Sequence, residues 1–174
     1  MMSKNIILIG SLCFLLASCG DEPKERQEIP QWSVEHSTRM NKQFTQEDEI
    51  NIRLFLDRKK SWKTTETGSG LRYWVYEDQE GENAVEGDKV DVKFEVSMLS
   101  DSLIYKTEED EVSTFKVDKS DIETGVMEGI KYLSEGDKAK LIIPSHLAHG
   151  LLGDYNKIPP LEVLVVDLEL VKIY

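Results

Sequence analysis

The segment covering residues 138–171, KAKLIIPSHLAHGLLGDYNKIPPLEVLVVDLELV, constrains the fold more than any other part of the chain. Residues 140–143 read as a short apolar strand stopped by Pro144. Residues 163–171 alternate so that Leu164, Val166, Leu168 and Leu170 share one face. Both segments are expected in the core. The long loop between them ends in Ile158-Pro159-Pro160, and loops of that length inside compact domains usually carry function.

Upstream, the pattern is that of more sheet and one helix. Residues 64–70, TTETGSG, form a breaker-rich turn, and residues 71–76 are aromatic and β-branched. In residues 90–98, Val90, Val92, Phe94, Val96 and Met98 alternate with polar side chains, as in a half-buried strand. Shorter strands, suited to sheet edges, are expected at 103–105 and 112–117. Asp121 can cap a helix over 121–133, in which Ile122, Val126, Ile130 and Leu133 recur at helical spacing and which Gly136 follows. About five strands and one amphipathic helix predict an α+β fold, an antiparallel sheet wrapped over that helix, and not the alternation of a parallel sheet.

The order strand, IP-x-x-x-A-x-G, loop, IPP and closing L-V-x-D-x-E-L resembles the C-terminal half of FKBP-type peptidyl-prolyl isomerases. The residues that carry the likeness are Ile143, Pro144, Ala148, Gly150, Ile158, Pro159, Pro160, Leu164, Val165, Asp167, Glu169 and Leu170. The resemblance implies an FKBP-like domain over 64–174 that isomerises Xaa-Pro bonds without any cofactor or metal. It implies a pocket in which Phe94 is an aromatic wall and Ile104 the next wall position, Tyr105 replaces an aspartate, Val126 a floor tryptophan and Val166 a closing aromatic. Ile122 and Glu123 stand where the peptide-binding backbone pair lies, His149 replaces a tyrosine donor with a ring N–H, and Ile158 keeps the apolar loop contact. These departures bear on activity more than on fold. They leave open a second reading, a catalytically weak or silent module that binds unfolded chains or scaffolds a motility complex.

Residues 1–18 have the basic, apolar and small-residue parts of a signal peptide, and Leu16-Ala17-Ser18-Cys19 resembles a bacterial lipobox, with Cys19 as the acylated residue. Several acyl chains, at ~0.8 kcal/mol per buried methylene, would hold the chain on a bilayer. The expected site is the cell envelope, at the outer membrane facing the periplasm or at the cell surface. Cys13 falls in the signal, so the mature chain has no disulfide and no thiol nucleophile. Residues 19–44 are polar with Pro23 and Pro30 and read as a tether. From Thr45, with Asp48 three residues on, a capping box opens a helix within 45–63, whose face of Ile50, Leu54 and Phe55, with Trp62 beyond its end, packs on the domain or meets a partner. Lipobox, short helix and altered pocket together resemble the gliding-motility-associated FKBP-type lipoproteins of some Gram-negative bacteria, which implies motility proteins as partners.

Charge narrows the partners further. With 33 acidic against 21 basic residues and a net charge of -12, nucleic acid is an unsuitable ligand. His146 and His149 are three apart but have no third ligand in fixed register, so they predict loop histidines and not a metal site.

Overall fold

The computed structural model of the protein describes residues 33–174. The signal peptide, Cys19 and the first part of the tether lie outside the described residues. The remainder comprises two α-helices and a seven-stranded antiparallel sheet. In chain order the elements are α1 (Val34–Arg58), β1 (Thr65–Glu66), β2 (Arg72–Glu77), β3 (Lys89–Met98), β4 (Leu103–Lys106), β5 (Ser113–Lys116), α2 (Thr124–Ile130), β6 (Lys138–Ile143) and β7 (Leu164–Ile173). The strand order is β1-β2-β6-β7-β3-β4, with β5 also paired to β3. The ten-residue β3 serves three partners: β7 along one edge, and on the other β5 over Lys89 to Val92 and β4 over Glu95 to Ser97.

Two faces of the sheet are buried by two different helices. On the inner face, Leu141, Val166, Leu168 and Leu170 pack with Val90, Val92, Met127 and Ile130 in one apolar cluster. The helix α2 lies close because Gly125 and Gly129, one turn apart, face the sheet. A Cβ on Gly125 would sit 2.3 Å from Ile143 Cγ2, and one on Gly129 2.6 Å from Leu141 Cδ1. On the outer face, Ile52 and Phe55 of α1 cover Ile142, Val163 and Val165, with Trp62 edge-on to Phe55 at 5.4 Å. The cross-strand pair Ile142 and Val165 is apolar, and the next pair on that face, Lys140 and Asp167, is an ion pair. The outward side chains thus change from apolar to charged where the helix ends its cover. There the Tyr76 hydroxyl donates to Asp167 at 2.8 Å; burial first, and then that carboxylate, raises the phenol's pKa.

Several expectations need correction. The helix α1 starts at Val34 and not near Thr45, so residues 34–44 are helical and not tether. Ser33 is the N-cap, its hydroxyl accepting from the His36 amide at 3.3 Å. The Thr45 hydroxyl instead donates to the Asn41 carbonyl inside the helix at 2.9 Å. The buried stripe is Asp48, Ile52 and Phe55, whereas Ile50 and Leu54 are 58% and 55% exposed. A carboxylate at the head of the stripe concealed that face. The helix α2 is shorter than 121–133, and its N-cap is Glu123, not Asp121. Finally, the turn before β2 contains a two-residue strand of its own, β1.

Asp48 is the polar bolt between α1 and the sheet. Only 5% exposed, its Oδ2 accepts from the Ser145 amide at 2.9 Å and from the Ser145 hydroxyl at 2.8 Å. Beside it, nearly buried Arg72 donates to Glu49 at 2.6 Å and Glu66 at 2.9 Å. Burial alone would raise the Glu49 carboxyl; the hydrogen bonds from Arg72 and Arg53 outweigh it and hold its pKa below the usual glutamate value. That stabilisation is complete above the unfolded glutamate pKa and is lost as pH falls through the lowered one. Asp48→Ala leaves two buried donors unsatisfied and is expected to cost about 2–3 kcal/mol. Urea unfolding should show this as a lower midpoint at unchanged slope, with Ser145→Ala costing less.

Candidate functional site

The inner face of the sheet is longer than α2 can cover, and the uncovered part is a cavity of about 360 Å³. Its base is the alternating apolar row of β3, Val92, Phe94 and Val96, beside Val166 and Leu168 of β7. Phe115 of β5 and Val126 of α2 close one side, and Ile122 and Glu123 enter from the segment before α2. Tyr105 and Lys106 of β4 and Asp154, Ile158 and His149 of the 144–163 loop complete the rim.

Eight of the expected site residues therefore converge: Phe94, Tyr105, Ile122, Glu123, Val126, His149, Ile158 and Val166 all border the cavity. Ile104 does not. It is buried, 8% exposed, in the same apolar cluster as Val92, Val126, Ile158 and Val166, and its carbonyl accepts from Lys157 at 3.3 Å. The histidines diverge: His146 Nε2 is 3.1 Å from the Ser69 carbonyl, whereas His149 Nε2 is 2.9 Å from Glu123 Oε1. Sequence reasoning omitted Val92, Val96, Phe115, Lys106 and Asp154. Phe94's own alternation was signal enough for Val92 and Val96, whereas nothing local marked Asp154.

The loop is a self-bonded unit. Pro144 ends β6 because it has no amide to donate, and residues Ser145–Leu147 form a 3-10 turn. The Gly150 amide returns to the Ser145 carbonyl at 2.8 Å, and the Leu161 amide to the Gly150 carbonyl at 2.8 Å. Gly153, at φ +66°, passes so close to the Ile158 carbonyl that a Cβ would lie 2.2 Å from it. Asp154 Oδ1 accepts from the amides of Asn156 at 2.9 Å and Ile158 at 2.7 Å, and Oδ2 accepts from the Tyr105 hydroxyl. Those donors, the tyrosine first, bring the Asp154 pKa down to about 2, and the same contact raises that of Tyr105. Tyr105 thus bonds an acidic residue of the loop at the cavity rim.

The chemistry open to this cavity is that of an apolar, water-poor enclosure. A peptide bond rotates over a barrier of ~18–20 kcal/mol because conjugation must break, and at Xaa-Pro the two isomers lie within ~1 kcal/mol. The twisted amide is less polar than the planar one, so apolar walls that favour it lower the barrier with no nucleophile or metal.

A sheet wrapped over one short helix, with an apolar cavity between them closed by the loop that follows Ile143-Pro144, defines an FKBP-like α+β domain. The chain belongs to the FKBP-type peptidyl-prolyl cis-trans isomerase family, whose model matches residues 80–171. It is 35% identical over 107 residues to the probable FKBP-type isomerase FkpA of Neisseria meningitidis, which covers 62% of this chain and 39% of that protein. Against Escherichia coli FkpA it is 33% identical over 117 residues, 67% of this chain and 42% of the relative. Against Drosophila melanogaster Fkbp12 it is 35% identical over 89 residues, 50% of this chain and 82% of that protein. The crystal structure of E. coli FkpA superposes with a TM-score of 0.65 at 27% identity, over 79% of this chain and 64% of that one. The chain spans 39% to 58% of the length of the FkpA relatives it matches in N. meningitidis and Buchnera aphidicola.

Tyr105→Phe removes the strongest donor to Asp154. Its carboxyl pKa, followed by carbon-detected NMR through an acid titration, should rise from about 2 toward the ordinary aspartate value.

Proposed function

We propose that this protein is a peptidyl-prolyl cis-trans isomerase of the cell envelope. The observation that carries the reading is the enclosed apolar cavity walled by Phe94, Val126, Ile158 and Val166 in a domain of this family. Proline enters between those side chains, the backbone at Ile122 and Glu123 holds the flanking peptide, and His149 and Tyr105 bound the polar side. Each ~1.4 kcal/mol by which the walls favour the twisted amide multiplies the rate tenfold.

Full-length protein should accelerate exchange between the cis and trans resonances of an Ala-Leu-Pro-Phe peptide in a magnetisation-exchange experiment. Phe94→Ala should reduce that acceleration by about tenfold or more while leaving the amide spectrum of the remaining domain folded. Absence of acceleration by the native chain would overturn the reading.

A second reading is supported by the make-up of the cavity wall. The departures from the family pattern at Tyr105, Val126, His149 and Val166, all on the cavity, favour a module that holds proline segments without turning them over quickly. Peptide-induced shifts without acceleration would select it.

The cellular setting rests on the N-terminal sequence. The lipobox supports acylation at Cys19 and attachment to the outer membrane, facing the periplasm or the surface, with envelope and gliding-motility proteins as clients. Among the described residues no helix is long and apolar enough to cross a membrane. Cys19→Ala should move the protein from the membrane pellet to the soluble envelope fraction; continued sedimentation would exclude the anchor.

A further inference from the structure

An apolar cavity for proline needs no charge on its wall, yet this one borders two carboxylates, Glu123 and Asp154, and they are not equivalent. Asp154 is saturated by the Tyr105 hydroxyl and two backbone amides. Glu123 is not. Its side chain does not cap α2, and its one described partner is His149 Nε2 at 2.9 Å, with both side chains about a quarter exposed, 29% and 26%. The other charges near the rim are Lys106, on the cavity wall, and Lys157, whose ammonium lies over the Tyr105 ring at 4.9 Å and on the Ile104 carbonyl.

We propose that Glu123 is a specificity-determining residue that selects peptides carrying lysine or arginine beside the proline. The inference rests on the cavity being the proline site. A peptide whose proline fills the apolar base has its flanking side chains at the rim, where Glu123 stands. His149 holds the carboxylate in place in the free protein with a single contact, which leaves most of its acceptor capacity open to an ammonium or guanidinium. A lysine gains from this charge and a glutamate is repelled by it. For a partly exposed pair the two effects together amount to a five- to tenfold preference, reduced by salt. The overall charge of -12 also attracts basic peptides, so the contribution of Glu123 has to be separated from that diffuse field.

The test compares Gly-Lys-Pro-Lys-Gly, Gly-Glu-Pro-Glu-Gly and Gly-Leu-Pro-Leu-Gly, each as its catalysed over uncatalysed exchange rate with the full chain at pH 7.5 and low salt. The Lys-flanked peptide should exceed the Glu-flanked one by five- to tenfold, through KM and not kcat. In Glu123→Gln that ratio should fall to within about twofold of unity, while in Asp154→Asn it should persist. A ratio near one in the native chain, with the Leu-flanked peptide accelerated, would overturn the proposal. So would a Lys preference that survives in Glu123→Gln, because it would then belong to the overall charge. If no peptide is accelerated, the isomerase reading fails by itself, and dissociation constants from chemical-shift titration of the same three peptides decide the charge preference by the same ratio.

Discussion

A seven-residue helix cannot cover the inner face of a seven-stranded sheet, and most of this structure follows from that mismatch. Apolar surface left open on a sheet invites association, so it must be covered or put to use. The two glycines on α2 let the helix sink against Ile143 and Leu141, where it seals the β6 and β7 end of the core with little volume lost. Further along β3, Phe94 and Val96 are only partly buried. Here β5, the 144–163 loop and Tyr105 form walls without filling the space, and the cavity is what remains.

The outer face solves the same problem with a different helix. The buried apolar side chains there are Ile142, Val163 and Val165, which Ile52 and Phe55 cover, and beside them Trp74 packs against Trp62 and Tyr76. The charges on that face are paired at its edge, Lys140 with Asp167 and Lys138 with Glu77, and partly exposed ion pairs of this kind contribute little to stability. What fixes α1 in register is the buried Asp48 on Ser145. That contact joins the helix to the first residue after Pro144, so the outer helix and the loop rim of the cavity share one anchor.

The strands, the amphipathic α2 and the FKBP-like order were legible because period-two alternation and the Ile143-Pro144 and Ile158-Pro159-Pro160 turns are local signals. Eight of the residues that the resemblance implies border one cavity, because positions on a sheet are set by register. What was not legible was set by long-range polar contacts. Asp48 looked like a capping residue because its partner lies 97 residues away. Asp154 looked like a loop carboxylate because its partner Tyr105 is 49 residues away. Ile104 does not line the cavity itself but belongs to the apolar cluster that includes its walls Val92, Val126, Ile158 and Val166.

The altered floor has a consequence that depends on where its lost energy falls. Where the resemblance implies a tryptophan, Val126 presents a smaller surface; a shortfall of ~100 Å² at ~25 cal/mol per Å² is about 2.5 kcal/mol of apolar contact with proline. Contact of that kind is made by the planar and the twisted peptide alike, because the proline ring keeps its shape through the rotation. Loss of uniform binding weakens KM and leaves kcat nearly untouched. On the proposed isomerase reading the rotation depends on what surrounds the amide carbonyl, and Phe94, Ile158 and the Tyr105–Asp154 contact are the parts of the lining that would enclose it. On the same reading, a shallower floor in this frame makes a site that holds proline loosely and still turns it over.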